Sequence, residues 1–307
     1  MEPRFSLPPD TPLSSKKELV IGGVRAYVYG LEELKCSSDD NIAILYLAHN
    51  RTRTYKVTES VAHKVLHGFN TDGRRKKARL IAVTMNMRNH GDREISPQAN
   101  RTWADGNENH GLDLLSMIEG SAQDFKLIMD FIPAYLPHCA CTYNIMGGIS
   151  LGGHTAWRIA SLAPGQFHGF AMIVGSPNLT SLLLSRLGIQ TDLSDINTLE
   201  YKELYELMDP QQRRMWPHTL DKLVRDGDRA VTESFPTDVS ILLCNGKYDK
   251  LVPAKYTEEW VARRKQPRNI KLFVQDNTGH SCTKEMVEML AVWLSDMFRL
   301  QDDSARL

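Results

Sequence analysis

The sequence predicts an α/β protein: a mainly parallel sheet covered by helices on both faces, with a helical insertion late in the chain. Three observations carry this. Short unbroken apolar runs, such as Asn41 to Ala48 and Leu80 to Met85, are those of strands buried on both faces. Helical spacing returns between these runs, the alternation that builds parallel sheets. The stretch from Pro177 to Pro236 holds helical patterns and no clear strand, and it is too long for an ordinary connection.

Each element follows in order. Met1 to Ser15 carries Pro3, Pro8, Pro9 and Pro12 and no apolar core, so it reads as an extended arm and not as a secretory leader. Glu18 to Ile21 and Arg25 to Tyr29 flank Gly22-Gly23 as a hairpin. Asn41 to Ala48 is a buried strand. Val57 to Phe69 is a helix that exits at Asn70-Thr71-Asp72-Gly73. Leu80 to Met85 is the next strand, followed by a polar loop from Asn86 to Asn109. Leu112 to Leu136 has helical spacing broken by Pro133. Thr142 to Met146 is a strand, Leu151 to Leu162 a helix and Phe170 to Val174 a strand. Leu179 to Leu187, Leu199 to Met208 and Pro217 to Val224 are the helices of the insertion. Val239 to Cys244 and Ile270 to Val274 are the last strands, and Glu285 to Phe298 closes as an amphipathic helix. The expected division is a core of residues 1–177 and 237–307, with residues 1–15 as the arm and residues 178–236 as a helical cap.

Composition removes several classes. With 37 Lys+Arg against 37 Asp+Glu in 307 residues, net charge is +0, which disfavours nucleic-acid coating. At 42% hydrophobic and 24% charged residues the chain is a globule, not a disordered segment. No apolar run is long enough for a membrane span. Five scattered cysteines do not form a disulfide framework, so a reduced, intracellular setting is expected.

Chemistry enters at Gly148-Ile149-Ser150-Leu151-Gly152, between a strand and a helix. A sharp strand-to-helix turn lifts a serine hydroxyl above the sheet edge, and the flanking glycines keep neighbouring backbone from clashing. The helix N-terminus adds N–H groups and partial positive charge. A serine needs a base. On such a sheet the expected order is Ser, then Asp or Glu, then His. Asp249 follows the strand Val239 to Cys244, and His280 follows Ile270 to Val274. Both fall where ligands bind on open α/β sheets, at the carboxyl ends of strands.

These motifs together resemble the α/β-hydrolase superfamily. The resemblance runs from the hairpin at Glu18 to the final helix. It rests on the elbow around Ser150, on Gly246-Lys247-Tyr248-Asp249-Lys250-Leu251-Val252-Pro253, on Thr278-Gly279-His280 and on Arg88-Asn89-His90-Gly91. The resemblance implies the α/β-hydrolase fold with a helical cap. It also implies a Ser150–His280–Asp249 triad cleaving a carboxylic ester of small to medium, lipophilic character through an acyl-enzyme, with no cofactor and no metal. Serine at position 150 disfavours epoxide opening and dehalogenation, for which members carry Asp. The oxyanion donors would be the backbone N–H of Leu151 and that of Asn50 or Arg51. Here the chain departs from many members: His49-Asn50-Arg51 stands where they have His-Gly, which leaves the loop shape open, and Arg51 is also suited to a substrate carboxylate or phosphate. Weaker segments, Arg88 to Gly91 and Gly106-Asn107-Glu108-Asn109-His110, are similar to fungal esterase-like members of secondary metabolism.

Remaining candidates are weighed singly. His49, Trp103 and Trp216 are assigned to the substrate pocket, with Leu182, Leu183 and Met208 as apolar neighbours. His63 and His67 read as a helix face, and His154 as packing under the elbow. Arg74-Arg75-Lys76-Lys77 reads as a solvated loop, with a coenzyme A phosphate site or a nuclear signal as the alternatives. Cys139 and Cys141 read as structural thiols, and Cys282 lies two residues beyond His280. Ala305-Arg306-Leu307 is similar to the tripeptide read by the peroxisomal import receptor, so peroxisome or cytoplasm is expected. Thioesters, acyl-CoA among them, are the alternative substrate, and a non-catalytic ligand receptor is the alternative of another class. The partner is a small molecule; the oligomeric state is not legible.

Overall fold

The computed structural model describes residues 1–34, 41–189, 199–264 and 267–300, so the tripeptide 305–307 lies outside the described residues. A single eight-stranded sheet runs through it. The strands are β1 (Lys16–Ile21), β2 (Val24–Tyr29), β3 (Asn41–Ala48), β4 (Arg79–Met85), β5 (Ala140–Ile149), β6 (Gly169–Ile173), β7 (Ser240–Gly246) and β8 (Ile270–Gln275). Their spatial order is β1-β2-β4-β3-β5-β6-β7-β8. The β1–β2 hairpin and the β2–β4 pair are antiparallel, and every other pair is parallel. This is the α/β-hydrolase fold.

The helices are α1 (Tyr55–Thr71), α2 (His110–Tyr135), α3 (Leu151–Leu162), α4 (Leu179–Arg186), α5 (Tyr201–Leu207), α6 (Pro210–Met215), α7 (His218–Glu233), α8 (Lys255–Ala262) and α9 (Lys284–Met297). Period-two alternation divides each central strand between two cores. Ile42, Ile44 and Tyr46 of β3 face the core that holds Ile118, Phe125 and Trp157 of α2 and α3. Ala43, Leu45 and Leu47 face the core that holds Val65, Phe69, Leu290 and Leu294 of α1 and α9. Each such large apolar side chain, taken fully from water, contributes about 1.5–3 kcal/mol. The apolar runs were unbroken because both faces are covered.

Helix α1 starts at Thr54, whose hydroxyl accepts the Lys56 N–H. Helix α9 starts at Thr283, which accepts the Met286 N–H and donates to Gln275 at the end of β8. Four differences from the sequence reading have local causes. Helix α2 continues through Pro133, which lies two residues from its end, so that only the bond to the Met129 carbonyl is lost before the helix stops. Strand β5 extends to Ile149, directly against the elbow. Helix α6, capped by Asp209 and opened by Pro210, and helix α8, with Tyr256 and Trp260 inward, were not foreseen. Both are short, and two inward residues make no readable period.

The connection from β6 to β7 carries α4 to α7. Within it Arg158 of α3 donates to Asp228 at 2.8 Å, and Asp228 accepts the Leu179 and Thr180 N–H groups, so the start of α4 is tied to α7. At the other end of the chain the arm lies along the carboxyl edge of the sheet. Glu2 N–H donates to Asn277 O, Phe5 N–H to Cys282 O and Ser14 N–H to the ring of His63.

Candidate active site

Ser150, Asp249 and His280 stand just past the carboxyl ends of β5, β7 and β8, and the structure brings them together. Ser150 has φ +55° and ψ −110°, a left-handed backbone that is costly for a non-glycine residue and is held by its surroundings. Its N–H donates to Ile173 O at 2.9 Å, and its carbonyl accepts the His154 N–H at 2.9 Å. The glycines leave no alternative to the turn: a Cβ on Gly148 would lie 2.0 Å from Gly152 O, and one on Gly152 would lie 2.1 Å from Ala48 O.

The Ser150 hydroxyl lies 2.8 Å from His280 Nε2, and His280 Nδ1 lies 2.7 Å from Asp249 Oδ2. A carboxylate accepts only, so Nδ1 carries the hydrogen and Nε2 is left to accept the serine proton. Oδ1 of Asp249 accepts the Leu251 and Val252 N–H groups, each at 2.8 Å, which holds the carboxylate in one rotamer. The two loops are fastened to each other. Tyr248 N–H donates to Thr278 O at 2.8 Å, and Gly246 passes so close to Gly279 O that a Cβ would lie 2.2 Å from it. These three residues form a catalytic triad of the serine-hydrolase type.

Leu151 is the first residue of α3, where an N–H has no intrahelical acceptor. The loop after β3 is pinned to the elbow by Gly152 N–H donating to His49 O at 3.1 Å. His49 is fully buried. Its Nε2 accepts the Met87 N–H at 3.0 Å, so Nδ1 holds the hydrogen and donates it to Asn50 O at 2.8 Å. Burial lowers its pKa to about 3, with the Asn50 carbonyl opposing and His90 adding to the shift, so the ring is neutral. In a trans peptide the Asn50 carbonyl and the Arg51 N–H point opposite ways, so His49 sets the direction of that N–H.

Asn50, Ser150 and His280 line one narrow cavity with Arg4, Phe5, Val57, Val61, Ile149, Val174 and Cys282. Its volume, about 30 Å³, suits a water and not a substrate. Other expected pocket residues lie elsewhere. The His49 ring presents no surface to the cavity. Trp103 packs edge-on against His110, with ring centroids 5.0 Å apart. Trp216 is fully buried within the insertion, and its indole N–H donates to Asp221 at 2.9 Å. His154 lies beneath the elbow and accepts the Ser176 N–H at 3.1 Å. Arg4 and Phe5 were not foreseen, and the one signal for them was a single aromatic among the prolines of the arm. Cys282 is buried, and burial pushes its thiol up to about 12, so it is not a thiolate at neutral pH. The basic cluster is partly paired: Arg74 pairs with Asp72 and Asp296, and Lys76 reaches Asp72, while Lys77 lies over the Tyr143 ring.

Comparison with known proteins agrees with the architecture. Solved structures match over nearly the whole chain at low identity. TT1662 from Thermus thermophilus has a TM-score of 0.59 at 14% identity, covering 94% of this chain and 99% of that one. Est1E from Butyrivibrio proteoclasticus, described with bound ferulic acid, has a TM-score of 0.54 at 13% identity, covering 91% and 96%. A peroxisomal α/β-hydrolase from Saccharomyces cerevisiae has a TM-score of 0.52 at 15% identity, covering 92% and 85%. No protein-family model matches the sequence, and no curated protein does. At these identities the likeness establishes the fold, and the chemistry rests on the site itself.

Proposed function

We propose that this chain is a serine hydrolase that cleaves a carboxylic ester through an acyl-enzyme. The observation that carries the reading is the continuous chain from the Ser150 hydroxyl to His280 to Asp249, with the imidazole tautomer set for a base. His280 takes the Ser150 proton as Oγ attacks the carbonyl, then returns a proton to the leaving alcohol. Water repeats the sequence on the acyl-enzyme. The Leu151 N–H and the Arg51 N–H, the latter oriented by His49, are the proposed oxyanion donors. A cavity this narrow requires a wall to move before a substrate enters, and the arm residues Arg4 and Phe5 are part of that wall. The same chemistry serves thioesters.

A fluorophosphonate probe is expected to label the wild type and not Ser150→Ala. Equal labelling of both would remove the nucleophile from this reading. We also propose that Ala305-Arg306-Leu307 directs the chain to peroxisomes. The peroxisomal location of the yeast structural relative is in keeping with this. Deletion of Leu307 is expected to leave a fluorescent fusion in the cytosol, and unchanged punctate import would refute the address. Among the described residues no helix is long and apolar enough to cross a membrane.

A further inference from the structure

Two arginines beside the triad form no ion pair among the described residues, although Asp105 lies on the side of Arg51 and Asp249 on that of Arg186. Arg51 directly follows Asn50, which shares the narrow cavity with Ser150 and His280. Its Nη1 donates to Asn100 O at 2.8 Å. Arg186, at the end of α4, donates through Nη2 to Leu251 O at 2.8 Å. The N–H of that same Leu251 holds Asp249 Oδ1. One arginine thus belongs to the oxyanion loop itself, and the other is one hydrogen bond away from the acid loop. Among the described residues neither forms an ion pair, while Arg74, Arg88, Arg93, Arg158 and Arg225 all do.

A guanidinium taken from water without a partner is costly, and proteins rarely leave one so. Arg186 Nε is buried and has no acceptor among the described residues. Next to this pair stands His110, whose ring nitrogens are both buried, with the Arg101 backbone as a weak partner. Burial first, then the charges of Arg51 and Arg186, lower its pKa to about 4, so the ring is neutral and keeps one donor and one acceptor. Burial lowers the pKa of Arg186 and Arg51 adds to this, while Asp249 and Tyr256 oppose it, so the two cations repel each other with the triad acid nearby. Repulsion between the cations and an unmet guanidinium N–H are both relieved by the same thing, a compact anion.

We propose that Arg51 and Arg186 form an anion subsite of the active site, and that the ester cleaved at Ser150 carries a compact oxyanion, a carboxylate or a phosphate, close to its scissile carbonyl. The planar donor fork of arginine matches such a group in a way that a lysine does not. This substrate class rests on the hydrolase reading, but the subsite itself does not. The net charge of zero hides the feature, since the cations are balanced elsewhere on the chain.

Hydrolysis of p-nitrophenyl hemiglutarate against p-nitrophenyl valerate, a neutral ester of similar length, tests it. The wild type is expected to favour the hemiglutarate in kcat/KM. Arg186→Gln is expected to lower that preference roughly 10- to 100-fold, the loss of one charged hydrogen-bonding partner, chiefly through KM. Arg186→Lys, which keeps the charge and loses the fork, is expected to lower it by a smaller factor. A preference ratio unchanged in both variants overturns the proposal. Turnover of the valerate by the wild type reports on the hydrolase reading separately. If neither ester is turned over, binding of glutarate and of inorganic phosphate, read as a rise in Tm, decides the subsite. A rise in the wild type that is lost in Arg186→Gln supports it, and the more effective anion names the source. No rise with either anion overturns it.

Discussion

Asp249 shows how much a single side chain does here. Its Oδ2 fixes the tautomer of His280, while its Oδ1 is held by two backbone N–H groups. An amide in its place keeps an acceptor for those N–H groups and presents an NH₂ or a neutral oxygen to the imidazole, which disturbs the tautomer. Asp249→Asn is therefore expected to fold normally and to lose about 10⁴ in kcat, the effect of that change in a serine triad. A loss below about tenfold at saturating substrate would mean that another group orients His280. Ser150, Asp249 and His280 were all legible in the sequence, because each follows an apolar run and ends a short turn motif. Arg186 was not. At the end of a helix in the insertion, a lone arginine reads as a solvated charge at a favourable pole, and only the fold reveals that it turns toward Leu251.

The strand-to-helix elbow shows the same division within an element. Its motif was readable, and its tolerance depends on neighbours far along the chain. A methyl group on Gly152 would meet Ala48 O, from a strand about one hundred residues earlier, at 2.1 Å. Backbone in the middle of a sheet cannot retreat. Gly152→Ala is expected to destabilise by about 3 kcal/mol, the upper end of overpacking costs, and to lower Tm by ~5–10 °C. Gly73→Ala is the control: a Cβ there has nothing within 4 Å. It is expected to change stability by no more than about 0.5 kcal/mol. Thermal denaturation of the two variants checks both, and equal Tm values would contradict the steric account. All eight strands were foreseen in order, the central ones because burial on both faces writes an unbroken apolar run, although β5 runs past both its expected ends. Helices α6 and α8 were not, since a helix of two turns anchored by one or two side chains leaves no period to detect.

For the molecule as a whole, buried histidines set the response to acid. His49 and His154 are held neutral by burial, their pKa values lowered to about 3, and His110 is lowered to about 4. Once unfolded, each titrates near the ordinary histidine value of about 6.5. Below that pH the unfolded chain binds protons that the folded chain refuses. The stability they contribute is present above about pH 6.5 and is lost as pH falls toward the folded values. Each adds a slope of about 1.4 kcal/mol per pH unit within that window. His154→Asn, which keeps an acceptor for the Ser176 N–H, is expected to make the fall in unfolding free energy between pH 6 and 4.5 shallower by one such increment. Denaturant titrations at several pH values measure this, and parallel slopes would show that His154 is protonated in the folded state.

Local and near-local properties of the chain were enough to specify the strands, the elbow serine, and the order in which acid and base follow it. Hydrophobic periodicity and turn chemistry are carried by neighbours in sequence, and a parallel sheet places every strand's carboxyl end on one edge. Folding alone settled which side chains share a space. His49 became a prop for the Asn50 carbonyl, Trp216 became core, Phe5 came to rest beside Ser150, and Arg51 and Arg186 met across the site without forming an ion pair. Those outcomes depend on contacts between residues tens to hundreds of positions apart, where burial and charge act through distance in space and leave no pattern along the chain.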